Sequence, residues 1–206
     1  MKEAVFALHT LGSVAERFGA AFASAHAEKP CYAFLLPDSR TRQAALGWLW
    51  GHYLAHLAIE CGTLQVDQRG EAAAFVILPG KQFSMRQYLD AGLASFPAKL
   101  GWVGSWRMLT ALQQLMNLRQ SLAPEPHVFV LAINVLSQRQ GRGLGYDMLT
   151  DAIRRSEAES VPCYTQVFQE KEVEYYLRRG FRVAGKKVLP MGLTVWGMVR
   201  VPSEVA

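Results

Sequence analysis

The pattern of apolar and polar positions predicts that the first third of the chain is mainly helical. Apolar residues recur every three or four positions from Leu11 to Ser24, and a second broad apolar face runs from about Arg40 to Cys61. This is the spacing of amphipathic helices. Pro30, Pro37 and Asp38 indicate a turn between the two helices, and the glycine at position 62 ends the second helix. The short segment from Glu3 to Leu8 predicts a strand before the first helix.

The middle of the chain combines strands with a helical block. Thr63 to Asp67 and Ala72 to Leu78 suit the two strands of a hairpin. Residues 84–120 carry Leu, Met and Trp at helical spacing with breaks at a proline and a glycine, so we expect two or three helices inserted between strands. Val128 to Val135 is an almost continuous apolar run, and its length favours a buried central strand.

The last third of the chain returns to short alternating elements. A glycine-rich turn and a helix to about Glu159 come first. A strand from Cys163 to Phe168 and a helix from Lys171 to Arg179 follow, and two strands lie near Phe181 to Leu189 and Leu193 to Val201. This order of elements predicts an α/β (α+β) fold with a mixed sheet rather than a purely parallel one.

Composition is that of one globular domain. The chain has 206 residues, of which 50% are hydrophobic and 19% are charged, which excludes a disordered chain. We therefore expect a single domain over residues 1–206. No run reaches the roughly 18 apolar residues of a membrane-spanning helix, and the N-terminus does not resemble a signal peptide. Three isolated cysteines predict reduced thiols, so we expect a cytoplasmic protein.

The charge balance is modestly basic. Lys and Arg number 22 against 17 Asp and Glu, a formal charge of +5, which favours either a polyanionic ligand or a simply solvated basic surface. The cluster of basic residues after position 177 is diluted by Glu170, Glu172 and Glu174, and no basic helix carries interleaved base-reading residues. We expect neither nucleic acid nor a membrane as a partner.

The informative segment lies between the predicted central strand and the helix after it. Glycines at 141, 143 and 145 leave backbone N–H groups uncovered at the start of a helix, an arrangement that binds phosphate. Arg139 and Arg142 add charge beside it. The alternative is a tight turn with no ligand. The spacing is neither that of a P-loop nor the Gly-x-Gly-x-x-Gly of a dinucleotide site.

The same segment resembles a known family. Gln140-Gly-Arg-Gly143-Leu-Gly145 is similar to the Gln/Arg-x-x-Gly-x-Gly/Ala motif of the GNAT superfamily of acyl-CoA N-acyltransferases, and Tyr176-Leu-Arg-Arg-Gly180-Phe181 looks like its Tyr-x-x-x-Gly-Phe segment. The strong match covers residues 127–200, and flanking sequences resemble a bacterial and fungal branch near puromycin-acetyltransferase-like proteins. The resemblance implies a mostly antiparallel sheet, splayed between its central strands and flanked by helices.

The resemblance also implies an acyl-CoA site. The pantetheine arm would pair with the backbone of Ile133, Asn134 and Val135, and Gln169 would bind the cofactor through its amide. The pyrophosphate would lie on residues of the glycine turn: Gln140, Gly141, Arg142, Gly143, Leu144 and Gly145. The branch often has Glu where Gln166 stands, which removes a charged group from that position.

Two residues are candidates for catalysis. The resemblance nominates Tyr176 as the proton donor to the leaving thiolate; without it, Tyr176 would be an ordinary helix aromatic. His127 begins the central strand, where it could act as the base that deprotonates an amine, or could simply lie at the surface. His52 and His56 lie one helical turn apart with no third ligand in view, so we expect no metal.

The implied function is acetyl-CoA-dependent N-acetylation of a primary amine of a small molecule, by direct attack on the thioester. The alternative is a non-catalytic acyl-CoA-binding sensor. Several large side chains of the helical block would wall the acceptor cleft, or instead form a core or a homodimer face: Met85, Tyr88, Phe96, Trp102, Trp106, Met108 and Met116.

Overall fold

The protein is built around one six-stranded sheet flanked by eight α-helices in the residues that the structure describes. This computed structural model describes residues 2–60, 64–67, 69, 71–81, 83–123, 125–189 and 192–202. The helices are α1 (Lys2–His26), α2 (Pro30–Leu35), α3 (Arg42–Trp48), α4 (Ala55–Glu60), α5 (Met85–Asp90), α6 (Phe96–Leu122), α7 (Leu144–Ala158) and α8 (Glu170–Leu177). The strands are β1 (Leu64–Val66), β2 (Ala72–Ile77), β3 (Val128–Val135), β4 (Cys163–Val167), β5 (Arg182–Val188) and β6 (Thr194–Arg200).

The sheet is mixed, as the order of elements predicts, and mostly antiparallel, as the family resemblance implies. Its strand order is β1-β2-β3-β4-β6-β5, and β3 with β4 is the parallel pair. The hairpin of β1 and β2 and the central position of β3 are confirmed. No helix in the described part of the chain is both long and apolar enough to cross a bilayer.

The central strands separate part-way along their length. β4 pairs with β3 only from Val128 to Val130, whereas β2 accompanies β3 as far as Val135. Leu131 is the extra residue of a bulge, because Val76 pairs with Val130 and the next residue of β2, Phe75, pairs with Ala132. The bulge bends β3 where β4 leaves it, and a gap opens between the two strands.

The helices cover both faces of this sheet. On one face, α7 and α8 pack on a core that includes Val128, Val130 and Cys163. On the other face, α1 and α4 pack on Phe75, and the end of α6 packs beside Tyr164. Because side chains alternate along a strand, each residue of β3 and β4 can be assigned to one of the two faces.

Two N-terminal expectations are wrong. The segment from Glu3 to Leu8 is helical and belongs to α1; six residues are too few to separate the two periods, and the apolar spacing of α1 extends back through them. Pro30 was expected in a turn, but it occupies the first position of α2, where a proline costs no hydrogen bond. The helix predicted over 40–61 is present to Glu60, and its predicted end at Cys61 and position 62 lies outside the described residues.

The helical block between β2 and β3 docks on the sheet through a small-residue contact. A Cβ atom on Gly185 would lie 2.8 Å from the Leu122 side chain, and one on Gly197 would overlap the same side chain. The end of α6 therefore lies directly on the backbone of β5 and β6. Of the block's large side chains, Phe96 and Met108 are buried core residues, whereas Trp102 and Trp106 are exposed.

The second predicted helix contains a π-helical segment, Leu49–Leu54, between α3 and α4. This segment crosses α1 in backbone contact at Gly19 and Gly51. A Cβ atom on Gly19 would overlap the backbone of Gly51 and lie 2.7 Å from the carbonyl oxygen of Gly47. The crossing therefore requires glycine at position 19.

We predict that Gly19→Ala lowers the free energy of unfolding by about 2–3 kcal/mol, because the added methyl group meets backbone atoms that cannot move independently. Gly12→Ala is the matched control in the same helix, since nothing lies within 4 Å of its Cβ position. It should be neutral or stabilising by up to about 1 kcal/mol. Urea unfolding of both variants checks this, and equal stability of the two would contradict the crossing.

Candidate functional site

The gap between β3 and β4 leaves one edge of β3 exposed to a ligand. Beyond the bulge at Leu131, Ala132 to Val135 have strand neighbours in β2 but none in β4 within the described chain. Thr165, the last residue of β4 in the pair, donates its hydroxyl proton to the Val130 carbonyl oxygen at 2.9 Å. The apex of the gap is therefore a buried hydrogen bond between the two strands.

The glycine turn lies at the wide end of the gap. Gly141 and Gly143 have φ angles of +78° and +85°, and no atom lies within 4 Å of a Cβ built on either. Gly143 is the N-cap of α7, so its conformation directs the free N–H groups of the first helical turn outward. Gly145 packs close to Val135 and Ile133, with Cβ contacts of 3.5 and 3.8 Å.

The side-chain charge at this turn is smaller than the sequence indicates. Arg139 is paired with Glu71 at 2.9 Å, so its charge is largely compensated. Arg142 is exposed, and Asp147 places a negative charge in the first turn of α7. Attraction for an anion here comes mainly from the uncovered N–H groups and the helix dipole.

The other predicted cofactor residues are distributed around the gap. The side chains of Ile133 and Val135 pack toward α7, and Gln140 donates its amide to the Val135 carbonyl oxygen at 3.3 Å. Asn134 faces the opposite side, where its amide donates to the Phe18 carbonyl oxygen at 3.2 Å. Gln169 is half-buried at the N-cap of α8.

Tyr176 lies at the apex of the gap, on the face covered by α7 and α8. It is 9% exposed, packs edge-on against Phe181, and lies beside the Thr165 side chain. Because Thr165 gives its hydroxyl proton to the Val130 carbonyl oxygen, Tyr176 lies next to the point where the two strands part. Burial raises the pKa of Tyr176 well above its ordinary value, so the hydroxyl stays protonated at neutral pH.

Tyr175 has a different environment from its neighbour. The Arg179 guanidinium lies 3.4 Å from the centre of the Tyr175 ring and 5.3 Å from that of Tyr146. Arg179 also donates to the Tyr175 carbonyl oxygen at 2.6 Å. Tyr175 is thus part of a stack that joins α7 to α8, while Tyr176 alone of the pair is directed to Thr165.

His127 is buried on the face opposite to Tyr176. It is 2% exposed, its Nδ1 atom lies 3.7 Å from Glu125 Oε1, and its ring contacts that of Tyr164. The alternative that the sequence left open, a surface location for His127, is therefore wrong. His127 precedes Val130 by three positions, so it lies about 10 Å along the strand from the apex of the gap.

Gln166 also faces this second side, one residue beyond the last β3–β4 pair. Its amide nitrogen donates to the Leu115 carbonyl oxygen at 2.8 Å and to the Tyr164 hydroxyl at 3.0 Å. Gln166 thereby ties α6 to β4 beside the gap. Burial raises the pKa of Tyr164 to about 12, so its hydroxyl is a neutral partner for this amide.

Sequence reasoning missed Thr165. Its hydroxyl ties β4 to β3 beside Tyr176, but the sequence gives only a weak signal for it. A single polar residue alternates with Cys163 and Val167 on an otherwise apolar face. Only the register of β4 against β3 shows that this residue marks the point of separation.

The architecture has close counterparts among solved acetyltransferases. An acetyltransferase of Corynebacterium glutamicum, related to histone acetyltransferase HPA2, superposes with a TM-score of 0.60 at 17% identity, over 91% of this chain and 90% of that one. The chain has the GNAT acetyltransferase fold. A polyamine N-acetyltransferase of Drosophila melanogaster gives a TM-score of 0.50 at 17% identity, over 74% of this chain and 80% of that one. No family model matches the chain.

The solved structures confirm the fold class stated from the sequence, which is the fold that the family resemblance implies. The resemblance to the puromycin-acetyltransferase-like branch stays a prediction, because the solved structures share only this fold with the chain. The roles of the individual site residues likewise stay predictions.

Proposed function

We propose that this protein is an acetyl-CoA-dependent N-acetyltransferase that acetylates a primary amine of a small molecule. The observation that carries the proposal is the gap between β3 and β4. It has a glycine turn at its wide end and a protonated tyrosine hydroxyl at its apex. Few other functions need an anion site and a proton donor at opposite ends of an unpaired strand edge.

The residues of the gap fit an acyl-CoA. The open space at Gly141 and Gly143 lets a pyrophosphate approach the N–H groups of α7, and Arg142 is exposed beside them. The unpaired edge from Leu131 to Val135 offers backbone groups to the amides of a pantetheine arm. Bound acetyl-CoA would supply an acetyl thioester to an amine nucleophile.

Tyr176 would act as the general acid. Its side chain lies beside Thr165 at the apex, and its raised pKa keeps the hydroxyl protonated at neutral pH. A thiolate that forms there could take this proton. The reaction needs such a donor because a thiolate leaves more readily when it is protonated.

His127 is the proposed base, but the sheet lies between its ring and Tyr176. Its burial next to Glu125 means that it would remove the amine proton through an intervening water molecule or side chain. Substitution His127→Gln tests this role, because a glutamine keeps a polar side chain without a titratable ring.

A small primary amine as acceptor is supported by fold neighbours that include a polyamine and an agmatine N-acetyltransferase. We predict acetyl-CoA-dependent release of thiol when small primary amines, agmatine and polyamines among them, are added to the protein. A panel of amines measured by thiol release tests it. Acyl-CoA binding without turnover on any amine would instead favour the sensor. The sensor is the second candidate because Gln166 is neutral and its amide already donates to the Leu115 carbonyl oxygen and the Tyr164 hydroxyl.

We predict that Gly143→Asp abolishes CoA binding, because a carboxylate would face the pyrophosphate at the helix N-terminus. Gly143→Asn is the matched control: it has the same size, tolerates the positive φ of +85°, and carries no charge. Calorimetric titration should give affinity at least tenfold higher for the Asn variant than for the Asp variant. Equal CoA affinity in the two folded variants would mean that the pyrophosphate does not bind at this turn.

We predict that Tyr176→Phe lowers kcat by roughly 10²–10⁴-fold, the usual contribution of general acid catalysis. The affinity for acetyl-CoA should change little, because the ring and its contact with Phe181 remain. Tyr175→Phe keeps the stack on Arg179 and should be nearly silent. Full kcat in Tyr176→Phe between pH 7 and about pH 10 would mean that water or another group supplies the proton.

A further inference from the structure

The exposed side of α6 carries an uncharged stripe that the proposed function does not use. From Trp102 onward, the exposed positions of this helix hold no ionisable side chain. These positions are Trp102, Val103, Trp106, Leu109, Gln113, Met116, Asn117, Gln120 and Ser121. Trp102 and Trp106 are 79% and 74% exposed, which is far from the usual state of a tryptophan in a monomer.

The arginines of α6 do not interrupt this stripe. Arg107 donates to the Phe34 carbonyl oxygen at 2.6 Å and lies over the Phe34 ring, so it is turned toward α2. Arg119 is 13% exposed and lies over Phe129 beneath the helix. An exposed helical face normally carries charge, whereas the centre of a protein interface is depleted of it.

The spacing of the stripe is that of a helix-pairing seam. Trp102, Trp106, Leu109, Gln113, Met116 and Gln120 follow one another at intervals of 4, 3, 4, 3 and 4 residues. This period of 3.5 residues keeps one line of side chains facing a partner helix. The seam points away from the gap between β3 and β4, because the opposite side of α6 contacts Gln166 and Gly197.

We propose that this seam, Trp102 to Gln120 on α6, is the interface of a twofold dimer with a second copy of the chain. Its two α6 helices would pack antiparallel about an axis at the middle of the seam, between Leu109 and Gln113, so that each tryptophan meets the Met116–Gln120 end of the other copy. The two tryptophans alone would bury roughly 350–400 Å² per copy, about half of the ~800 Å² per partner of a standard interface. The remaining seam side chains and the adjoining Phe34 extend this area.

Charge does not oppose a second copy on this face. Each chain carries a formal charge of +5, so two copies repel each other through most of their surface. The seam is a surface on which they can meet without burying an unpaired charge. An isologous contact closes after two copies, so it predicts a dimer rather than a filament.

The test is sedimentation velocity of the whole chain from 1 to 200 µM. We expect a species of twice the 22.9 kDa chain mass and a blue shift of tryptophan emission as it forms. The double variant Trp102→Lys/Trp106→Lys should weaken association at least 100-fold while circular dichroism stays native. Gln113→Glu is a milder second variant that adds like charges to the seam and should also weaken the dimer.

Val188→Lys is the matched control. Val188 is a 60% exposed apolar residue on β5, the outer strand of the sheet, through which two sheets could instead join edge to edge. The control should leave the dimer intact. A monomer at 200 µM, an open series of larger species, a dimer lost only in Val188→Lys, or a monomer that sediments with phosphatidylcholine vesicles would each overturn the proposal.

Discussion

A buried strand needs hydrogen-bond partners on both sides, and the half of β3 beyond Val130 has strand neighbours only on the β2 side in the described chain. The rest of the architecture keeps this edge of β3 unpaired while the other strands of the sheet stay hydrogen-bonded. Leu131 forms the bulge that bends β3 away from β4. Thr165 holds the two strands together at the last position before they part. The bulge in β3 and the Thr165 hydrogen bond from β4 therefore together fix the point at which the two strands separate.

The sheet also divides the candidate chemistry between its two faces. The glycine turn, Thr165 and Tyr176 belong to the face of α7 and α8, where burial keeps the tyrosine hydroxyl neutral. His127 and Gln166 belong to the other face, under α6. In the proposed reaction, an amine would approach the apex from the α6 side and meet the thioester from the side opposite to Tyr176. The proposed direct attack would then keep the amine and the leaving thiolate on different faces of the sheet.

Much of the fold could be predicted from the sequence, because its strongest patterns are periodic. The apolar run of β3 and the helical spacing of α7 were placed within a few residues. The turn at Gly143 was recognisable because a left-handed residue that caps a helix favours glycine. The first residues of α1 were misassigned because a six-residue window fits both periods. The short α2 was missed because Pro30 is compatible with a turn and with a helix start.

The tertiary relations of the site could not be read from the sequence. His127 and Tyr176 were both nominated, but only the alternation of β3 and the register of β4 show that they face opposite sides. The compensation of Arg139 by Glu71 joins residues far apart in the chain, so a local reading of charge overstated the positive potential of the turn. Thr165 acquires its importance only from its position at the last β3–β4 pair.

The N-terminal helices contribute to the gap from a distance. Asn134, next to the end of β3, donates its amide to the Phe18 carbonyl oxygen of α1. The following residue, Gly19, is the point where α1 meets the π-helical segment in backbone contact. A side chain larger than hydrogen at that crossing would move α1 as a rigid body, because helices do not yield locally, and the hydrogen bond to Asn134 would move with it. The unpaired end of β3 is thus held on its α1 side by a helix whose own position is set by a contact between two glycines.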